Sequence, residues 1–265
     1  MTHIWVVVPL GRPGMLANVV ANFERQRYPE KSLVVVENGR GLGACARSGI
    51  VPDRLLDSEA HQSAAKNVAL SWLLDNGATH WATMDDDDYY GPGYLEGIAD
   101  GFQRGFEVVG KASIFLRYSD NRLHLLEQGG ELREVAMVNG PTISSVVRPG
   151  MPTFQRLDWG EDNAWLLDAR AMGWRIWAAN RFDFCWCRHA PEHGHTYRIT
   201  DAALENISRA LDPVFDCGHF NPHVVNGVEA PARFDRLPAQ DLDMRQHPAV
   251  QHWNKQGVRT PWPTS

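Results

Sequence analysis

Two unbroken runs of mostly β-branched residues place the strongest constraint on how this chain can fold. Residues Ile4–Val8 and Leu33–Val36 are entirely apolar. Strands that read this way are buried on both faces, as in parallel sheets. Between them, Met15–Arg27 carries apolar residues at helical spacing. The pattern predicts a right-handed βαβ unit.

The alternation of strand and helix continues along the first part of the chain. A short strand is predicted at Asp53–Leu56 and a helix at Ser63–Leu74. A strand at His80–Met84 runs directly into four aspartates, and a helix follows from Pro92 to Gly105. The first 110 residues therefore predict an open α/β half with a mostly parallel sheet and flanking helices.

The pattern changes after residue 110. Short extended runs with turn signals follow, and a hairpin is predicted to turn at Gly129 and Gly130. A helix is predicted over residues 161–172, and Gly173 ends it. Residues 212–265 contain seven of the 16 prolines, so we expect an irregular C-terminal extension there.

Composition narrows the class of protein. The net charge of -6 and the pI near 6.0 argue against a basic nucleic-acid coat protein. The four cysteines form no C-x-x-C pair, which disfavours a disulfide scaffold. The amino terminus does not resemble a signal peptide, and no apolar run approaches about 18 residues. We therefore expect a soluble, cytoplasmic protein without membrane insertion.

The four adjacent carboxylates of Asp85, Asp86, Asp87 and Asp88 are the strongest chemical signal. They repel one another, and a divalent cation such as Mg²⁺ or Mn²⁺ would neutralise them together with phosphate oxygens. Their place after a predicted buried strand favours this interpretation, because ligands bind outside the carboxyl ends of such strands. The alternative is an acidic surface turn or a helix cap.

Three weaker signals lie at similar positions. Glu37 and Asn38 follow the second strand, where they could bind a ribose or a base, or simply form a turn. Lys66 lies in a helix start and could neutralise a diphosphate, or it could be a solvated lysine. Glu161 and Asp162 open a later helix and could supply a general base, or only compensate the helix dipole.

A segment rich in cysteine and histidine spans residues 185–197. On an extended strand, Cys185, Cys187 and His189 would share one face. These side chains could form a separate zinc site, although their spacing matches no known zinc knuckle. The alternative is packed thiols with histidines on the surface or in an acceptor loop.

Five motifs occur in an order that resembles one enzyme family. They are V-V-V-P, V-V-V-E-N-G, A-A-K-N, M-D-D-D-D-Y-Y-G-P-G-Y-L and G-E-D-N-A-W-L-L-D-A-R-A-M-G-W-R-I. Over residues 4–178 the chain is similar to GT-A fold glycosyltransferases of the family 2 type. It departs from that family at Glu37, where Asp is usual, at Lys66, where Arg is usual, and in lacking the glycine that usually precedes A-A-R-N.

The resemblance implies a set of site residues. Binding of the nucleotide sugar is implied at Pro9, Glu37, Lys66 and Asp85. The cation, Mn²⁺ or Mg²⁺, would be held by Asp85 and Asp87, which match the family's D-x-D motif. A late histidine, His189 or His195, could supply a further metal ligand, as in many GT-A enzymes.

The resemblance also implies a reaction. Asp162 matches the usual catalytic base, which takes the proton of an acceptor hydroxyl while that oxygen displaces the diphosphate and inverts the anomeric carbon. The donor would be a UDP-sugar, and the acceptor a glycan, a protein, a small molecule or a hydroxylated DNA base. Residues 1–110 would bind the nucleotide and residues 111–211 the acceptor, within one domain. The alternatives are a nucleotidyltransferase, a phosphohydrolase, or an inactive nucleotide-sugar-binding module.

Overall fold

The computed structural model describes residues 1–120, 122–157, 160–188 and 199–211. The predicted extension at residues 212–265 lies outside them. The strands are β1 Ile4–Leu10, β2 Lys31–Asn38, β3 Arg54–Ser58, β4 His80–Thr83, β5 Tyr89–Tyr90, β6 Val108–Lys111, β7 Ser113–Arg117, β8 Leu123–Glu127, β9 Arg133–Val135, β10 Ser144–Val146, β11 Ile176–Ala179, β12 Phe184–Cys187 and β13 Arg209–Ala210. The α-helices are α1 Leu16–Glu24, α2 Ala44–Ser48, α3 Gln62–Asp75, α4 Tyr94–Gln103, α5 Glu161–Ala171 and α6 Asp201–Ile207.

The main sheet has eight strands in the order β3-β2-β1-β4-β10-β6-β11-β9. Strands β1 to β4 are mutually parallel, whereas β10 runs antiparallel to both of its neighbours. The two apolar runs lie side by side in β1 and β2, inside the edge strand β3, with Val6 opposite Leu33. The mostly parallel sheet predicted from those runs is confirmed.

Helices cover both faces of this sheet and form two cores. Val6 and Val8 of β1 pack in the core that includes α1 and α4. Val7, which points to the other face, packs in the core that includes α3 and α5. This burial on both faces explains why β1 has no polar residue along its apolar run. No helix among the described residues is long and apolar enough to cross a membrane.

A second sheet of five strands, in the order β13-β8-β7-β12-β5, lies beside the first. The hairpin predicted at Gly129 and Gly130 is wrong, because β8 belongs to this second sheet while β9 pairs with β11 in the main sheet. Both glycines have positive φ, 93° and 94°, and they carry the chain from one sheet to the other. The actual hairpin joins β7 to β8, with Ser113 opposite Glu127.

The parallel strands bring their carboxyl ends to one edge of the main sheet. The residues that follow β1, β2 and β4 therefore lie near one another, together with the amino termini of α3 and α5. Helix α2, which the sequence patterns did not indicate, begins shortly after β2. This edge of the sheet holds the polar side chains described next.

Candidate functional site

The aspartate run begins where β4 leaves the sheet. The Met84 amide still donates to the carbonyl of Val7 at 3.0 Å, and the Asp85 amide donates to the Tyr90 hydroxyl at 2.8 Å. Asp86 and Asp88 are each only 2% exposed, whereas Asp85 and Asp87 are partly exposed. The four carboxylates therefore differ in their surroundings, and each has its own partners.

Asp86 and Asp87 are bound by Arg12, from the loop after β1. Asp86 accepts hydrogen bonds from the backbone amides of Gly11 and Arg12, at 3.2 and 3.1 Å, and from Nε and Nη2 of Arg12, at 3.0 and 2.6 Å. Arg12 Nη1 donates to Asp87 at 2.5 Å. Sequence reasoning missed Arg12, although an arginine directly after the first parallel strand was a usable signal.

Asp88 serves the packing of the two sheets. Its carboxylate accepts from the Cys187 amide at 2.9 Å, and its carbonyl accepts from the side chains of Asn18 and Asn22. Burial, with Asp87 and Cys187 nearby, raises the pKa of Asp88 well above its ordinary range. The Asp88 side chain therefore holds β12 to the aspartate run.

The histidines predicted near the metal, His189 and His195, lie outside the described residues. Cys185 is buried and Cys187 partly buried, and the Cys187 thiol lies 3.6 Å from the carbonyl of Cys185. The ligation by a late histidine and the separate zinc site both stay predictions.

Lys66 and Asp162 form a buried ion pair. Lys66 is 0% exposed, and its Nζ lies 2.5 Å from Asp162 Oδ1 and 3.7 Å from Glu161 Oε1. Burial lowers the pKa of Lys66, but Asp162, Glu161 and Asp85 together raise it above the ordinary value. The A-A-K-N and E-D motifs, 96 residues apart along the chain, thus meet in one contact.

Asp85 lies next to this ion pair. Its carboxylate accepts from the side-chain Nε2 of Gln62 at 3.4 Å. Burial raises the pKa of Asp85 to about 7, with Lys66 lowering it and Asp162 raising it. The predicted metal ligand and the predicted base therefore share one electrostatic environment, centred on Lys66.

Two glycines orient Asp162. Gly160, with φ of 84°, precedes α5 and allows the chain to turn into the helix. Gly140 lies against the carboxylate, since a Cβ at that position would be 2.6 Å from Asp162 Oδ2. Sequence reasoning missed Gly140, which is remote in the chain and follows no motif.

Glu37, predicted to contact the nucleotide, orders the loop that follows β2. Its carboxylate accepts from the backbone amides of Gly43 and Cys45, at 2.5 and 2.6 Å, and Glu37 is 2% exposed. Pro9 is buried in β1 opposite Val36. Nucleotide contacts at Glu37 and Pro9 stay predictions.

The carboxylates of Asp85 and Asp87 offer the oxygen ligands that a divalent cation prefers. Within the described residues, no group of three or more His, Cys, Asp or Glu side chains is gathered to chelate a metal. Mg²⁺ usually takes one or two carboxylates, and water and phosphate oxygens fill its other positions. The Asp85 and Asp87 carboxylates match such a site in ligand chemistry. Five carboxylates interact with the two cations, so acidic groups outnumber basic ones here: Asp86 and Asp87 with Arg12, and Asp85, Glu161 and Asp162 with Lys66.

Comparison with known proteins identifies the fold. No protein-family model and no curated protein sequence matches this chain. S. aureus TarS 1-349 in complex with UDP-GlcNAc aligns with a TM-score of 0.55 at 14% identity, covering 75% of this chain and 62% of that chain. The same protein in complex with UDP aligns with a TM-score of 0.51 at 14% identity, covering 70% and 60%. This chain therefore spans less than two thirds of the TarS chains.

A third solved structure is more distant. The mannosyltransferase PcManGT from Pyrobaculum calidifontis, in complex with GDP-Man and Mn²⁺, aligns with a TM-score of 0.49 at 16% identity, covering 72% of this chain and 58% of that chain. That score is too low to add to the assignment. Three observations indicate the same fold: the order of strands in the main sheet, the aspartates at its carboxyl edge and the alignment with TarS. The chain has the GT-A fold that its motifs predict.

Proposed function

We propose that this chain is a metal-dependent, inverting glycosyltransferase that moves a sugar from a nucleoside diphosphate sugar to an acceptor hydroxyl. The contact between Lys66 and Asp162 beside Asp85 carries the proposal. The contact supports the proposal because it brings together motifs that are separate in the sequence, at the sheet edge where ligands bind in open α/β folds.

The donor side rests on the aspartates. Asp85 and Asp87 would hold the cation, which when bound stabilises the negative charge on the departing diphosphate. We assign UDP as the donor nucleotide, because the TarS structures that share this fold contain UDP-GlcNAc and UDP.

The acceptor side rests on Asp162. Its carboxylate takes the acceptor proton while the acceptor oxygen forms a bond to the anomeric carbon and the bond from that carbon to the diphosphate breaks. Lys66 is fully buried and bound to Asp162, so we propose that it positions the base. Its contact with the diphosphate, which the resemblance implies, stays a prediction. A fixed carboxylate lowers the entropy cost of reaching the reactive geometry.

Donor binding is the first test. Thermal shifts with UDP and GDP, each with and without Mn²⁺, should show a rise in melting temperature for UDP that depends on the metal. Asp87→Ala should abolish that dependence. The absence of any shift with a nucleoside diphosphate would refute the donor assignment.

Transfer is the second test, measured as UDP release with a panel of glycans, peptides, small alcohols and hydroxymethylated DNA. Asp162→Asn should retain the UDP shift and lose at least about a hundredfold in transfer, the range expected for a general base. Asp168→Asn, the same change on the same helix in a residue bound to Gln155, is the matched control. Full transfer by Asp162→Asn would remove it as the base, and pyrophosphate release from a nucleoside triphosphate would favour a nucleotidyltransferase.

A further inference from the structure

Arg12 occupies the position of a counter-ion among the aspartates. It lies just beyond β1, and its side chain is 31% exposed, against 3% for Asp86 and 10% for Asp87. Burial lowers the pKa of Arg12, but Asp87 and Asp86 raise it above the ordinary value. One permanent cation therefore lies between a buried carboxylate and one of the two predicted metal ligands.

The contacts of Arg12 are unequal. Asp86 Oδ1 accepts from both Nε and Nη2 of Arg12, and Asp86 Oδ2 accepts from the backbone amides of Gly11 and Arg12. Asp87 accepts one hydrogen bond from Arg12, donated by Nη1. Asp86 therefore holds Arg12 more strongly than Asp87 does, and the bond to Asp87 can break while the bonds to Asp86 remain.

We propose that Arg12 is the counter-ion that a divalent cation displaces from Asp87, and that it keeps the cation affinity of the nucleotide-free protein low. This inference rests on the proposed function and extends it. A cation and a guanidinium on the same carboxylate repel each other. A diphosphate brings negative charge that offsets this repulsion, so the cation is bound together with the nucleotide.

The test measures Mn²⁺ binding to the full chain without nucleotide, from the EPR signal of free Mn²⁺. Arg12→Gln removes the competing charge and should tighten Mn²⁺ binding by about tenfold or more, the value of one charge-assisted hydrogen bond. Arg12→Lys keeps the positive charge but loses the several N–H donors of the guanidinium, and should tighten Mn²⁺ binding less than Arg12→Gln does. Arg27→Gln, which breaks the exposed pair with Glu96, is the matched control and should not change it.

A second arm adds UDP. The difference in Mn²⁺ affinity between the wild type and Arg12→Gln should shrink, because the diphosphate compensates the guanidinium in the wild type. If UDP fails to bind any variant, the donor assignment fails while the nucleotide-free comparison still tests Arg12.

Three results would overturn the inference. Equal or weaker Mn²⁺ binding by Arg12→Gln would show that Arg12 organises the carboxylates and does not compete for them. A failure of the wild type and of every variant to bind Mn²⁺ would show that the aspartates hold no cation. If Arg12→Gln does not fold, as judged by its melting curve, Arg12→Met replaces it as the neutral variant, and equal or weaker Mn²⁺ binding by Arg12→Met would overturn the inference.

Discussion

The buried ion pair at Lys66 makes a quantitative prediction about stability. In Lys66→Met, the carboxylates of Asp162 and Glu161, whose side chains are 16% and 8% exposed, lose the ammonium that compensates them. Removing one partner of a buried pair costs about 3–5 kcal/mol. At about 2–4 °C per kcal/mol for a domain of this size, the melting temperature should fall by about 6–20 °C at pH 8. Methionine keeps most of the packing, so this loss is mainly electrostatic.

The loss should depend on pH in a definite direction. Burial raises the pKa of Asp85 to about 7 and raises that of Glu161, and Lys66 lowers both. Without Lys66 these folded-state pKa values rise further, so the folded protein binds protons more readily than the unfolded chain. Stability then increases as the pH falls below the folded-state pKa values. The deficit of Lys66→Met should therefore be smaller at pH 5 than at pH 8.

Lys111 provides the matched control. It is equally buried, at 1% exposed, but its Nζ donates to the carbonyl of Asn180 at 2.7 Å and no carboxylate of the described residues pairs with it as a salt bridge. Burial lowers the pKa of Lys111 to about 8. Lys111→Met should lose less stability than Lys66→Met at pH 8. Calorimetric melting of both variants at pH 5 and pH 8 checks this prediction. Equal losses of stability by the two variants at pH 8 would refute the reasoning, and so would a deficit of Lys66→Met that does not change with pH.

Three further changes probe the site. Gly140→Ala places a Cβ 2.6 Å from Asp162 Oδ2, so transfer should fall at least about tenfold with UDP binding retained, and wild-type turnover would contradict this. Glu37→Gln leaves one of the amides of Gly43 and Cys45 without its acceptor and should cost about 1–3 kcal/mol in urea unfolding, whereas an unchanged midpoint would show that Glu37 does not stabilise the loop after β2. Burial raises the pKa of Asp85 in the folded protein to about 7, so its ionisation should destabilise the ligand-free protein progressively from pH 4 to pH 7, by at most about 4 kcal/mol. Asp85→Asn should flatten this pH dependence of stability. An identical pH profile in Asp85→Asn would exclude Asp85 as its source.

The sequence predicted the elements whose signals are local. The runs at Ile4–Val8 and Leu33–Val36 became adjacent interior strands, because a continuous apolar run is stable only where both faces are covered. The order of strands and helices then fixed which residues reach the carboxyl edge of the sheet. The predicted hairpin at Gly129 and Gly130 was wrong because strand pairing depends on residues far apart in the chain, and β9 pairs with β11 instead of β8.

The composition of the site was readable from the motifs, but its connections were not. The sequence marked Lys66 and Asp162 as separate candidates, and only the tertiary structure joined them as an ion pair. It also brought Arg12 onto the aspartates, 74 residues away from Asp86, and turned Glu37 toward the backbone amides of its own loop. Spacing along a chain records periodicity and local geometry, whereas the partner of a buried charge depends on which elements pack around it and on the need to compensate that charge away from water.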